Sequence, residues 1–293
     1  MVRELGPNPD YDHRMPVLDT PGATLFYTVA GDGPPVLMIQ GVGAIGNAWQ
    51  PQIAQLAATY RVAAFDNRGI GGSAIRDGRL TIEDMAADAL AIADAIGFER
   101  FHLAGHSMGG VIAQAVALRA PERILSLAFL CTFARGKEGA TMSLPMLVTA
   151  LRMRIGTKPM RRTAFLELIM PQRYLREADR TALAAQLAPL FGHDLADQAP
   201  ITMKQLGAMA KYDASARLAA LRDIPTLVVA ATEDRIALPR YNQSLAAAIP
   251  GARYVEIADA GHGVTIHRAG EINRLLDEHF RAVPTAPRSR VHP

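Results

Sequence analysis

Cysteine is almost absent: Cys131 stands alone in 293 residues. No internal disulfide can form, and a reducing, cytoplasmic compartment is the simplest setting. No stretch reaches 18 uninterrupted apolar residues, so no membrane span is expected. The opening segment MVRELGPNPDYDHRMP is polar and proline-rich and lacks the apolar stretch of a signal peptide. Neither charge sign dominates, since the formal net charge is +3. Part of that excess sits in residues 281–293, and part in the run MRIGTKPMRR at 153–162. The run reads as a solvated helix end in preference to a basic face for an anionic surface. No nucleic-acid motif accompanies it, so no nucleic-acid partner is expected. The eight histidines are scattered and suggest no metal site. The segment DNRGIGGS lacks the lysine of a phosphate-binding loop, so neither a nucleotide nor any other cofactor is expected.

Apolar residues make up 49% of the chain and charged residues 20%, which suits a soluble globular protein with a large core. The length fits one large α/β domain carrying an inserted subdomain. Short apolar runs alternate with helical segments. PVLMIQG (35–41) is followed by a helical stretch at 48–60, then by RVAAFDNRG (61–69) and TIEDMAADALAIADAIG (81–97). The last opens with Thr81 and Asp84 in a capping pattern. FHLAG (101–105), the helix that follows it and LSLAFLCTF (125–133) continue the series. Such alternation predicts crossover units and a largely parallel sheet covered by helices on both faces. It stops near Arg135. Residues 136–212 carry only Met- and Leu-rich helical segments, and the alternation resumes at TLVVAATED (226–234). The expected organisation is a core of 1–135 and 213–293, with a helical cap of 136–212 inserted into it.

Gly105-His106-Ser107-Met108-Gly109 matches G-x-S-x-G between an apolar strand and a helix. A sharp turn there would hold the serine in a strained conformation at a helix N-terminus, where negative charge is favoured. An alcohol needs a base to act as nucleophile. His262, in the loop Asp259-Ala260-Gly261-His262-Gly263 after the strand ARYVEIA, is the candidate; His267 is a nearby decoy. The imidazole needs a carboxylate to fix its tautomer. Asp234 at the end of TLVVAATED is preferred, with Glu233 and Asp259 as competitors. Glu233 is expected to point the other way from the strand end. Two amides must meet a developing oxyanion. The backbone of Met108 is one candidate, and that of Val42, in the turn Gln40-Gly41-Val42-Gly43, is the other.

With these segments in this order, residues 24–280 resemble the α/β-hydrolase superfamily, in its branch of capped serine esterases and lactonases. The segment 66–73 is similar to the family's D-x-R-G-x-G-x-S turn, which the resemblance marks as structural. Gln40 departs from the pattern, since many members have histidine there. The resemblance implies a mostly parallel central sheet flanked by helices, with an inserted helical cap. It also implies hydrolysis of a small, apolar carboxylic ester or lactone through an acyl-enzyme. Serine at position 107 argues against the branches that use an aspartate nucleophile. Two other readings stay open: carbon–carbon cleavage of a diketone-like substrate by the same residues, and a non-catalytic ligand-binding protein. The cap is rich in Met142, Met146, Met153, Met160, Met170, Leu144, Leu147 and Leu151. These side chains either pack the cap or, as expected of Met142, Met146 and Met170 together with Gly41, line the substrate site.

Overall fold

The computed structural model describes residues 16–141 and 143–283. The expected Met142, the opening segment up to residue 15 and the basic tail from 284 onward lie outside the described residues.

The parallel strands form where the sequence runs apolar. They are β3 (Pro35–Ile39), β4 (Arg61–Phe65), β6 (Phe101–His106), β7 (Ile124–Leu130), β8 (Thr226–Ala231) and β9 (Arg253–Ile257). Every residue of β6, β7 and β8 is buried. That is why they read as continuous apolar runs with no period of two. Ahead of them come β1 (Val17–Asp19) and β2 (Ala23–Ala30), and between β4 and β6 lies the short β5 (Ala74–Ile75). These three pair antiparallel, and strand–helix alternation gave no sign of them. The sheet order is β1-β2-β4-β3-β6-β7-β8-β9, with β5 on β2.

The core helices are α1 (Gln50–Leu56), α2 (Ile82–Ala95), α3 (Met108–Arg119), α10 (Pro239–Ala248), α11 (Val264–His267) and α12 (Ala269–Arg281). The capping read at the start of α2 is present: the Asp84 amide donates to Thr81 Oγ1 at 3.0 Å, and the hydroxyl donates to Asp84 Oδ2 at 2.7 Å. α3 is buried on nearly all sides, from Met108 to Ala117, so it carries no polar face.

After β3 the chain crosses to β4 on one side, and after β6 it crosses to β7 on the other. The order therefore reverses between β3 and β6. A crevice opens at the carboxyl ends of strands at such a point. The register pairs Ile39 with Gly105 and His106 with Leu130, so the turns after β3 and β6 emerge side by side.

From 136 to 212 the described residues contain only helices: α4 (Gly136–Ala140), α5 (Leu144–Arg152), α6 (Lys158–Ile169), α7 (Gln172–Glu177), α8 (Arg180–Phe191) and α9 (Thr202–Ala210). The block leaves and returns at one neck. Arg135 and Asp213 form an antiparallel bridge, and the Gly136 amide donates to the Tyr212 carbonyl at 2.9 Å. The block has its own apolar cluster, built on Leu166, Ile169, Leu175, Leu187 and Leu190, which reaches the core through Ile266.

Candidate active site

Ser107 sits at the N-cap of α3 with φ 56° and ψ −124°. A non-glycine residue there stores about 1–3 kcal/mol of strain. The glycines of the motif make room for it. A Cβ on Gly105 would lie 2.3 Å from the Gly109 carbonyl oxygen, and one on Gly109 would lie 2.0 Å from that of Ile39. The turn is held from outside as well, since Thr132 Oγ1 donates to the Ser107 carbonyl at 2.6 Å.

His262 Nδ1 donates to Asp234 Oδ2 at 2.8 Å. Asp234 is buried, while Glu233 and Asp259 are exposed. Its other oxygen, Oδ1, accepts from the amides of Ile236 at 2.7 Å and Ala237 at 2.8 Å. Burial alone would raise this carboxyl. The charge of and bond to His262, with the two amides, outweigh it and hold the group below the usual carboxylate range. His267 does not share the site: its ring lies edge-on to Tyr174, 4.6 Å between centroids.

Cys131, which follows β7 with φ 47°, is buried. Burial pushes its thiol up, and the neighbouring Asp234 carboxylate, which accepts a bond from it, pushes it further. The thiol thus stays protonated beside the carboxylate.

Ser107 and His262 both line a cavity of about 440 Å³ whose wall also contains Gly41 and Val42. A volume of this size holds a small ligand. A Cβ on Gly41 would lie 2.8 Å from Ser107 Cβ, so only glycine fits beside the serine. Among the described residues, the Val42 and Met108 amides meet no acceptor, unlike those of Gly41, Gly43 and Ser107. The Gly41 amide donates to Gln40 Oε1 at 3.2 Å, and that of Gly43 to Gln205 Oε1 at 2.9 Å. Gln205 belongs to α9, so the helical block grips the loop beside Ser107. Asn67 Nδ2 donates to the Gln40 carbonyl at 2.9 Å, which ties the 66–73 turn to the same loop. In that turn the Asp66 carboxylate accepts from the amides of Gly46 and Gly72.

Met146 lines the cavity. Met170 does not, and this corrects the expectation. α6 ends at Ile169, and Met170 takes an extended conformation that turns it into the apolar cluster of the helical block. Its neighbours Leu168 and Ile169 line the cavity instead. Arg154, His193 and Thr202 also reach the wall. Of these only Arg154 had a signal in the sequence, as part of the basic run. Among the described residues no three His, Cys, Asp or Glu side chains gather as metal ligands.

A family model described as the alpha/beta hydrolase fold matches residues 34–268. A protein of Azorhizobium caulinodans named "Putative carbamate hydrolase RutD" is 31% identical over 262 residues, which cover 89% of this chain and 97% of that one. Among solved structures, the enol-lactonase from Burkholderia xenovorans LB400 superposes with a TM-score of 0.75 at 28% identity, covering 91% of this chain and all of the other. A thermophilic esterase from Thermogutta terrifontis superposes with a TM-score of 0.74 at 26% identity, covering 92% and 98%. The chain belongs to the α/β-hydrolase family.

Proposed function

We propose that this protein is a serine hydrolase of small, apolar carboxylic esters or lactones, and that 136–212 form a cap over its site. The observation that carries the reading is the strained Ser107 facing one cavity with His262, whose Nδ1 is bonded to buried Asp234 at 2.8 Å.

Ser107 Oγ attacks the carbonyl carbon while His262 Nε2 takes its proton. Asp234 holds the Nδ1–H tautomer and stabilises the imidazolium. The oxyanion lies against the amides of Val42 and Met108, at the N-terminus of α3, where the helix dipole adds to the field. His262 returns the proton to the leaving alcohol. Water, deprotonated by the same imidazole, then cleaves the acyl-enzyme. A lactone follows the same course with its leaving alcohol still tethered.

The cavity wall is mostly apolar, so an apolar acyl or alcohol part gains from burial there. The similarity to a protein named as a carbamate hydrolase favours a second scissile group, the carbamate, attacked in the same way. The lone Cys131 suits a reducing, cytoplasmic setting. A panel of matched p-nitrophenyl esters, lactones and carbamates, each assayed with the wild type and Ser107→Ala, tests the reading. Turnover of an ester or lactone that disappears in the variant supports it. Turnover confined to carbamates moves the substrate class, and turnover that persists in the variant overturns the nucleophile.

A further inference from the structure

Helix α5 is apolar on two opposite faces. Met146, Ala150 and Met153, spaced i, i+4 and i+7, line the cavity. Leu144, Leu147, Val148 and Leu151, spaced i, i+3, i+4 and i+7, face the other way and are each more than half exposed, Leu144 by 75%. Ile155, in the turn after the helix, extends the stripe and is 62% exposed. Gly156 follows it, and Met160, itself exposed, packs over that glycine. A helix apolar all round is normally enclosed. A contiguous exposed patch of this kind marks a surface that meets another apolar phase.

The charge around the stripe says which phase. Between Glu138 and Glu167 the chain carries Arg152, Arg154, Lys158, Arg161 and Arg162 and no carboxylate. Glu167 answers Arg152, and Asp194 and Asp197 answer Lys158, Arg161 and Arg162. Arg154 has no carboxylate partner among the described residues and reaches the cavity wall. An apolar stripe bordered by cations is the pattern of a helix lying in the plane of an anionic lipid interface. A second copy of the chain suits it less. A two-fold interface pairs this face with itself, and between Glu138 and Glu167 the chain offers no carboxylate to meet Arg154.

We propose that the outer face of α5 docks on an anionic phospholipid surface, with Leu147 and Leu151 in the acyl boundary and Arg152 and Arg154 at the headgroups. The inner face of the same helix walls the cavity, so an amphiphile leaving the lipid needs only to pass this helix to reach Ser107. The 153–162 run is then a basic face for an anionic surface, the reading that the sequence alone placed second. Docking does not require hydrolysis, so it stands or falls separately from the proposed function.

The test is flotation of the full chain with vesicles of phosphatidylcholine alone and of phosphatidylcholine mixed with phosphatidylglycerol, at low and high salt. Binding is expected to the mixed vesicles, weaker to the neutral ones, and reduced by salt. Leu147→Ser and Leu151→Ser should each lower the partition coefficient about tenfold. Both side chains are exposed and lie off the cavity, so the circular dichroism spectrum and turnover of a soluble ester should not change. No binding to mixed vesicles at low salt overturns the proposal, as does binding that both variants retain. A concentration-dependent dimer, seen by light scattering and abolished by the same substitutions without vesicle binding, overturns it in favour of a second copy.

Discussion

His106 Nε2 lies 2.9 Å from the carbonyl oxygen of His262, and the two rings stand 4.8 Å apart. The residue beside the serine thus holds the backbone of the proposed base. Burial lowers His106 to about 3, with the nearby His262 lowering it further, so its ring is neutral. One proton then serves two nitrogens. Nε2 must carry it, because the His262 carbonyl can only accept. Nδ1 is left with a lone pair, so its 3.3 Å approach to Gln40 Oε1 is a contact between two acceptors and no hydrogen bond. Turning the Gln40 amide would give His106 a donor but would take the acceptor from the Gly41 amide.

His106→Ala should therefore cost stability and turnover together. An unpaired buried carbonyl costs about 1–3 kcal/mol, and the His262 loop loses its tether. His106→Gln, which keeps a donor of similar reach, should recover part of both. Urea unfolding and kcat on one soluble ester measure the two effects. Loss of stability with kcat unchanged would make His106 a packing residue alone.

Asp234→Asn should lower kcat by about 10⁴-fold, the order seen when a serine hydrolase loses its tautomer-fixing carboxylate. Glu233→Gln and Asp259→Asn should leave turnover within about twofold, because both side chains are exposed and neither meets His262. Steady-state kinetics of the three variants decide it. A larger loss in Glu233→Gln would move the acid by one residue.

Stability should fall as pH drops below about 6.5. Burial, with nearby His279, lowers His102 to about 4, and burial with His262 lowers His106 to about 3. Both are neutral in the fold. The unfolded chain binds their protons first, so between the unfolded value near 6.5 and the folded values acid favours unfolding. The slope approaches about 1.4 kcal/mol per pH unit for each histidine. Asp234 acts in the same direction at lower pH: its folded value is depressed, and its contribution is lost as pH falls from its unfolded value through the folded one. Urea midpoints at pH 7, 6 and 5 test the histidine part. A flat profile for the wild type, or the same slope in His102→Gln, would contradict it.

Met146→Ala should shift ester chain-length preference toward longer acyl groups, because Met146 forms cavity wall. Met170→Ala should instead lower stability by about 2–5 kcal/mol, the usual cost of emptying a buried site, with preference unchanged. Acetate, butyrate and octanoate esters, with thermal melts, separate the two. Equal shifts in preference would place Met170 at the site after all.

The parallel half of the fold was legible because β6, β7 and β8 are buried on both faces and so are apolar without interruption. β2 was not, because its residues are mostly half-buried and its partners β4 and β5 come from later in the chain. Ser107, Asp234 and His262 could be read because each follows a strand in the same sheet, and strand order carries their turns to one edge. Gln205 and His193 could not. They reach the site from the helical block, whose docking on the core depends on tertiary contacts such as Gln205 to Gly43 and Asn47 to the Pro189 carbonyl. Met170 was misread for the same reason, since spacing alone cannot tell which side of a helix end meets a cavity.

The most direct measurement is covalent labelling by a fluorophosphonate, followed by mass spectrometry of the digested protein. A single phosphonyl adduct on the peptide containing Ser107, absent in Ser107→Ala and strongly slowed in Asp234→Asn, is the expected result. Labelling at another residue, or none at a probe concentration that saturates known serine hydrolases, would contradict Ser107 as the nucleophile.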